Sequence, residues 1–357
     1  MEAVRSESNR GLAESYPLSI VIPVRRAAGQ LKRCLEALLD NDLTNVEILV
    51  VDDASDDSTA QVATELSQRL TGLNVSMDCL SLKQQLGPAG ARNEGFKRTT
   101  HPHTLFLDAD IVVPKQALEW IRETLDLYSH REDVAGVLGC YSETLPWDEF
   151  LTNFKNLCVC FLYAKTDTLS PYIHTPIFCV RRAILEQVGG FDPGFATGED
   201  FRLGIVLGSR GYRFVIDRRI QSIHLKRCNL ASVFQEDWRR IRDLRSIALS
   251  SEGEKWFPLQ AHRPNRLLSL LLPGPVLIFG AFGLVSWTSV KIALLLLGMF
   301  YLCNLSFLRY CIHRKGLSFT LKAALFLFIE MLWAEVALLA AVLTGQRKDK
   351  KDNREPL

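Results

Sequence analysis

The sequence predicts an α/β domain with a doubly wound parallel sheet, followed by membrane-associated α-helices. Three observations predict it. Short apolar runs alternate with helical patterns from residue 18 to about 140. Acidic or glycine-rich loops follow those runs, where the carboxyl ends of parallel strands would gather. The final part of the chain, from about residue 267, is far more apolar than the rest.

Composition narrows the function classes. At 357 residues the chain exceeds one average domain, so two structural units are expected. A net charge of +2 lacks the basic excess of a nucleic-acid-binding protein. The nine cysteines contain no CxxC pair, and Cys158 and Cys160 are spaced for neither a zinc knuckle nor a redox pair. Cys158, Cys160, Cys303 and Cys311 lie in apolar runs, as small buried hydrophobes do, which fits a reducing compartment. Residues 1–16 form a polar tail with Glu2, Arg5, Glu7, Arg10 and Glu14 and no apolar h-region. The first folded unit, residues 17–230, is therefore expected on the cytoplasmic side.

The elements follow in order. Residues 18–23 are a short β-branched strand, and 28–39 a helix. Residues 46–51 are an apolar run of the kind that suits a strand buried on both faces. The loop from Asp52 to Thr59 is rich in helix-capping residues, and a helix runs on to about 70. A third strand is expected at 74–80, and the turn from Gly87 to Gly95 enters a helix. A fourth strand, 104–107, runs straight into Asp108-Ala109-Asp110, and a helix starts near Pro114. Then come a strand at 134–140, an apolar helix at 151–164, a strand at 177–180 and a helix at 182–188. Gly189-Gly190-Phe191-Asp192 is a turn, Gly198 precedes a helix to about 208, and 213–216 and 220–224 are short strands.

Residues 231–262 are expected to hold an amphipathic interfacial helix. Over 232–249, Phe234, Trp238, Ile241, Leu244 and Ala248 recur at helical spacing, with Arg239, Arg240, Arg242 and Arg245 among them. A helix docked on the globular core has the same pattern; the apolar stretches that follow favour a membrane surface. Those stretches, 267–287, 290–308 and 319–343, approach or exceed the ~20 residues that cross a bilayer. Arg309, His313, Arg314 and Lys315, like Arg263 and Arg266, mark cytoplasmic loops by the positive-inside rule. The third stretch contains Lys322, Glu330 and Glu335, and crossing there would place Arg347, Lys348, Lys350 and Lys351 outside. Either its charges face protein, or it is partly interfacial, or the first stretch is re-entrant at Pro273-Gly274-Pro275. Residues 263–345 thus hold two or three transmembrane helices, three being favoured, and 346–357 form a charged tail.

Several side chains carry chemistry. Asp108 and Asp110, one residue apart at a strand end, can face one hard cation such as Mg2+ or Mn2+, which would ease departure of a diphosphate. Asp53 ends the second strand, where a carboxylate can accept from a base or ribose or can cap the next helix. Arg92, in a loop entering a helix, can hold a diphosphate together with helix amides or sit at the surface. Glu199-Asp200 opens a helix after a glycine, where a carboxylate can deprotonate an acceptor hydroxyl or simply favour the helix dipole. His224, at a strand end, is either structural or completes a metal shell.

Taken in order, these motifs resemble the family 2 glycosyltransferases with the GT-A fold, over about residues 17 to 226. The residues that carry the resemblance are Ile20-Val21-Ile22-Pro23, the Val51 to Asp57 run, Gly87-Pro88-Ala89-Gly90-Ala91-Arg92-Asn93, Asp108-Ala109-Asp110, Gly189-Gly190-Phe191-Asp192, Gly198-Glu199-Asp200 and His224. The resemblance implies a Rossmann-like nucleotide-sugar-binding domain and inverting, metal-dependent transfer from a nucleoside-diphosphate sugar, with a UDP-sugar favoured. It implies that Pro23 and Val24 line the base pocket and Asp53 reads the base. Arg92 would help hold the nucleotide end of the donor, and Asp108, with Ala109 beside it, would meet the ribose or the metal. Asp110 and His224 would ligate the metal, and Asp200 would be the catalytic base with Glu199 beside it. Many relatives have Tyr-Asn after the proline, where this chain has Val24-Arg25-Arg26, and Thr-Gly-Asn where it has Thr175-Pro176-Ile177. Processive synthases carry Gln-x-x-Arg-Trp on an interfacial helix. Here Gln235-Glu236-Asp237-Trp238-Arg239 has the last two exchanged, which with the few spans argues against a polymer-extruding synthase; Trp238, with Gln235, can still stack on an acceptor sugar.

The expected function is transfer of a single sugar to a lipid-borne acceptor, polyprenyl-linked, at the cytoplasmic face of the cell membrane by a multi-pass protein. A polyprenyl-phosphate sugar synthase, a processive polysaccharide synthase and a non-catalytic membrane scaffold are the alternatives. No nucleic-acid partner is expected.

Overall fold

The structure is a computed structural model. It describes residues 11, 16–70, 75–171, 173, 174, 176–194, 198–248 and 264–343, with side chains excepted at 69, 70, 242–248 and 264–267. Most of the tail 1–16, Thr175, Arg263 and the charged tail with Arg347, Lys348, Lys350 and Lys351 lie outside the described residues. So do residue 74 and the side chains of Arg242, Leu244, Arg245, Ala248, Arg266 and Leu267. The chain divides into two compact units, Met1–Pro146 with Leu162–Lys226, and Trp147–Phe161 with Arg227–Glu355.

In the first unit, Leu18–Val24 forms β1, Ala28–Leu39 α1, Val46–Asp52 β2 and Thr59–Leu70 α2. Ser76–Ser81 forms β3, Gly87–Arg98 α3 and His103–Leu107 β4. β1 runs parallel to β2 and β4, and β2 parallel to β3. Five of the seven β1 residues are fully shielded from solvent, which is why these strands read as unbroken apolar runs.

Beyond β4 the sheet stops being parallel. The later elements are Ile111–Val112 (β5), Ala117–Leu127 (α4), Val134–Tyr141 (β6), Phe150–Lys165 (α5), Leu169–Ser170 (β7) and Ile177–Arg181 (β8). Arg182–Gln187 (α6), Glu199–Ser209 (α7) and Arg213–His224 (β9) complete the unit. The strand order is β3-β2-β1-β4-β8-β6-β9-β5, with β7 pairing β9. β8 is antiparallel to both β4 and β6, so the sheet is mixed rather than all parallel. β8 is as apolar as its neighbours, and burial on both faces gives the same run in either direction. Gly136 permits the β6–β8 approach, since a Cβ there would collide with the Cys179 carbonyl oxygen. The two short strands expected at 213–216 and 220–224 are one strand, β9. It carries Asp217-Arg218-Arg219 through an irregularity in its register against β6.

The second unit is helical. It takes in residues 147–161 and Leu230–Ala248 (α8), Pro264–Leu271 (α9), Pro273–Phe282 (α10) and Trp287–Leu343 (α11). The first apolar stretch is not one span-length helix. It breaks at Pro273, which lacks an N–H, into helices of 8 and 10 residues. α11 is long and apolar enough to cross a membrane, and its apolar 18-residue window has a mean hydropathy of 2.1. It folds back at Gly316, whose φ of 80° and ψ of −179° are non-helical. The rings of Phe300 and Phe328 then meet at 5.3 Å, whereas a straight helix would separate them by roughly 40 Å. Phe154 of α5 packs on both arms, through Phe307 and Phe326. Around it Leu157, Val233, Leu272, Phe300, Cys311 and Ala323 build one core. The outward faces stay apolar, with Leu302 70% and Leu321 64% exposed.

Two of the three charges in the last apolar stretch face protein. Glu330 receives the Lys155 ammonium at 2.6 Å, and Asp237 receives it at 3.2 Å. Glu335 accepts from the Gly274 N–H at 2.7 Å and so caps the start of α10. Lys322 is exposed. Lys155→Met would strand the buried Glu330 and half-buried Asp237 carboxylates, and a stability loss of about 3–5 kcal/mol is expected. Denaturation of the detergent-solubilised chain checks this; the Lys155→Met/Glu330→Met pair should recover part of the loss.

Candidate functional site

Strand direction assembles the site. β1, β2, β4, β6 and β9 all point their carboxyl ends to one edge of the sheet, and β8, running the other way, brings its leading loop there. Pro23, Val24, Asp53, Asp108, Tyr141, His174 and His224 therefore gather at that edge.

At the β1–β2 end, Val24 is buried and its carbonyl accepts from the Asp53 N–H at 2.8 Å. The Asp53 carboxylate is buried too. Its two oxygens accept from the N–H groups of Leu86 and Gly87, at 2.6 and 2.9 Å. It thus ties the end of β2 to the start of α3, and only its remaining lone pairs face a base. Arg26, in the left-handed region at φ 49°, pairs with Asp56 across the β1 and β2 loops at 2.6 Å.

Arg92 was expected to hold the nucleotide end of the donor. The structure buries it, 3% exposed, and occupies both terminal nitrogens. One donates to Glu199 at 2.6 Å and the other to Asp108 at 2.7 Å. Its guanidinium also lies 5.5 Å from the centre of the Phe191 ring. Burial works against its charge, but Asp108 and Glu199 hold it protonated well above its ordinary value. A planar fork with opposed donors can bridge two carboxylates in this way, so Arg92 fastens α3 to the β4 end and to the start of α7.

Asp110 and His224 meet through a two-residue ladder. β5 pairs β9 with Ile111 opposite His224, and the Leu225 N–H donates to the Asp110 carbonyl at 2.7 Å. His224 Nε2 then lies 3.1 Å from Asp110 Oδ2. Burial pushes the Asp110 carboxyl up, but the His224 contact and the charges of His224 and Lys226 bring it below its ordinary value. Among the described residues no three His, Cys, Asp or Glu side chains converge on one ion position. Asp108 gives one oxygen, Oδ1, to Arg92, and its side chain stays 26% exposed. Asp110 and His224 remain a two-point oxygen and imidazole pair. A divalent ion such as Mn2+ would suit such a pair. Ala109, between the two aspartates, is buried.

Glu199 and Asp200 occupy the first turn of α7 behind Gly198, whose φ of 82° is left-handed. Glu199 is buried. Burial raises its carboxyl, Arg92 lowers it and Asp200 raises it, leaving it above its ordinary value. Asp200 is half-buried, and its Oδ1 accepts from the Phe201 N–H at 2.7 Å. Trp238 and Gln235 lie on α8 in the other unit, where Trp238 is 38% exposed.

Sequence reasoning missed an aromatic wall. Tyr141 ends β6, and its ring stacks on His224 at 4.8 Å with planes 24° apart. On its other side it meets His174 edge-on at 5.3 Å, and His174 Nδ1 lies 2.6 Å from the Tyr163 hydroxyl. Burial, and then the charges of Asp108 and Asp110, hold the Tyr141 phenol protonated well above its ordinary value. The available signal was its position, next after a predicted strand that ends at this edge. Tyr141→Leu is expected to weaken Mn2+ binding about tenfold or more, by releasing the imaizole that it orients, while Tyr141→Phe stays near wild type. Calorimetric Mn2+ titration checks this.

Comparison with known proteins adds the following. The family model described as "Glycosyl transferase family 2" matches residues 19–189. The amylovoran biosynthesis glycosyltransferase AmsB of Erwinia amylovora is 34% identical over 210 residues, 56% of this chain and 66% of that protein. A Methanococcus voltae protein is 23% identical over 231 residues, 61% of this chain and 70% of that protein. Its name is dolichyl N-acetyl-alpha-D-glucosaminyl phosphate 3-beta-D-2,3-diacetamido-2,3-dideoxy-beta-D-glucuronosyltransferase. This chain thus spans about two thirds of the length of these relatives. Among solved structures, the mannosyltransferase PcManGT of Pyrobaculum calidifontis, in complex with GDP-Man and Mn2+, matches with a TM-score of 0.57. At 15% identity over 96% of this chain and 93% of that one, the match shows a shared GT-A fold.

Proposed function

Because residues 19–189 place this chain in glycosyl transferase family 2, we propose that it moves a single sugar, with inversion, from a nucleoside-diphosphate sugar to a lipid-borne, polyprenyl-linked acceptor. The observation that carries the reading is the gathering of Asp108, Asp110, Glu199, Asp200 and His224 at the carboxyl edge of the strands, with Arg92 locking two of them. The donor nucleotide lies along Pro23, Val24 and Asp53, with UDP favoured as its base and diphosphate. Asp110 and His224 hold a divalent ion, which when bound neutralises charge on the departing diphosphate. Asp200 takes the proton of the acceptor hydroxyl as its oxygen attacks the anomeric carbon and the bond to the nucleotide phosphate breaks. Attack on the face opposite the leaving group inverts that carbon. Glu199, fixed by Arg92, keeps the first turn of α7 in register beside it.

The acceptor class is supported by α11 and the apolar outer faces of its unit, and by the dolichyl phosphate-linked acceptor in the name of the M. voltae relative. In this reading the arms of α11 are two spans, each roughly 40 Å long against an apolar layer of about 30 Å, and the sheet domain is cytoplasmic. Trp238 and Gln235 contact the acceptor. Calorimetry with UDP, GDP and dTDP in the presence of Mn2+ tests the donor site. At least one is expected to bind, UDP most tightly. Binding of none would leave a membrane scaffold as the better description.

A further inference from the structure

Two apolar clefts of the helical unit follow one side of α8 and share Ala231. The wider, about 690 Å³, is walled by Phe150, Leu151, Cys228 and Leu230. The narrower, about 320 Å³, is walled by Phe234, Gln235, Trp238, Arg239 and Trp333. Residues 231, 234, 235, 238 and 239 form a single helical stripe along the narrower cleft, and the two clefts adjoin at Ala231, end to end as a shallow trough. Its far wall is fixed. Trp333 Nε1 donates to the Phe234 carbonyl at 2.9 Å, and its ring lies 5.3 Å from Phe234 and 5.8 Å from Trp238. With that N–H engaged, the rings offer the trough their apolar faces.

The ends of the trough differ in charge. Glu149, at the wide end, is ion-paired with Arg227. At the narrow end Arg239 is exposed beside exposed Arg240, and among the described residues neither has an ion-pair partner. A cation therefore stands at one end of a shallow apolar trough, with an amide, Gln235, one turn away. The matching ligand is one long apolar chain ending in one compact anion. A two-chain phospholipid would leave its second chain outside the trough.

We propose that this trough binds a polyprenyl phosphate, its first isoprene units against Phe234, Trp238 and Trp333 and its phosphate at Arg239 and Gln235. The proposal rests on the lipid-borne acceptor proposed above and identifies the part of that lipid which this unit holds. The charge complementarity at Arg239 selects the phosphate end, and the shared wall at Ala231 carries the chain onward.

The test titrates the full chain in detergent micelles with a polyprenyl monophosphate, the matching polyprenol and inorganic phosphate, with phosphatidylglycerol as competitor. Arg239→Glu is expected to weaken monophosphate binding about tenfold or more and leave the polyprenol unchanged. Ala231→Trp, which fills the junction of the clefts, should weaken both lipids. Both positions are exposed, so both variants should keep the wild-type melting temperature. Equal monophosphate affinity in wild type and both variants overturns the trough and leaves the lipid-borne acceptor standing. Equally strong competition by phosphatidylglycerol also overturns the trough. Failure of the wild-type chain to bind the monophosphate at all removes both.

Discussion

Asp200→Asn is expected to lower sugar transfer by about 10²–10⁴-fold while leaving nucleotide binding unchanged. The amide keeps the size of the carboxylate and can still accept from the Phe201 N–H, so the first turn of α7 should survive. What it loses is the capacity to take a proton. The fall should appear in kcat rather than in KM for the donor, because the proton moves only in the transition state. Membranes supplied with labelled nucleotide sugar give the measurement. Undiminished transfer removes Asp200 as base for a hydroxyl acceptor. A polyprenyl phosphate acceptor is already an anion and needs no base, so the same small loss would indicate a polyprenyl-phosphate sugar synthase.

Arg92→Met is expected to have the largest effect on stability in the sheet domain. It leaves Asp108 and Glu199, the latter buried, without their cation, at a cost of about 3–5 kcal/mol. A fall in melting temperature of about 10 °C is the corresponding readout. Arg92→Lys should be intermediate, since an ammonium keeps the charge but lacks the planar fork that sends one terminal nitrogen to each carboxylate. The pH dependence has a definite sign. Glu199 sits above its ordinary value of 4.5, and loss of Arg92 removes a lowering influence. A raised acid binds its proton more tightly in the folded state. The folded state is therefore favoured near and below that ordinary value, and loses the advantage as pH rises through the raised one. The Arg92→Met deficit should thus shrink in acid and widen toward neutral pH. A deficit independent of pH would show that the arginine acts through packing alone.

The elements of the first βαβ half were legible because each answers to a local rule. The apolar runs at β1, β2 and β4 reflect burial on both faces, and the loops that follow them hold residues that cap helices. The side chains at the strand ends were legible for the same reason, since a strand end fixes where the next residue emerges. The helical unit was legible as an apolar composition but not as a packing. Nothing local shows that Glu330 would find Lys155, 175 positions earlier, or that Gly316 would fold one apolar run back on itself.

By itself the sequence determined the strand–helix alternation, the edge on which Asp53, Asp108 and Asp110 would stand, and the apolar character of the C-terminal helices. These depend on periodicity and on residues a few positions apart. The tertiary structure alone decided the partners: β8 inserted antiparallel, Asp108 paired with Arg92, and Tyr141 set against His224. Each of these contacts joins residues 16 or more positions apart in the chain. Which of several similar side chains a buried charge meets is fixed by strand register and desolvation, and neither is written in local pattern.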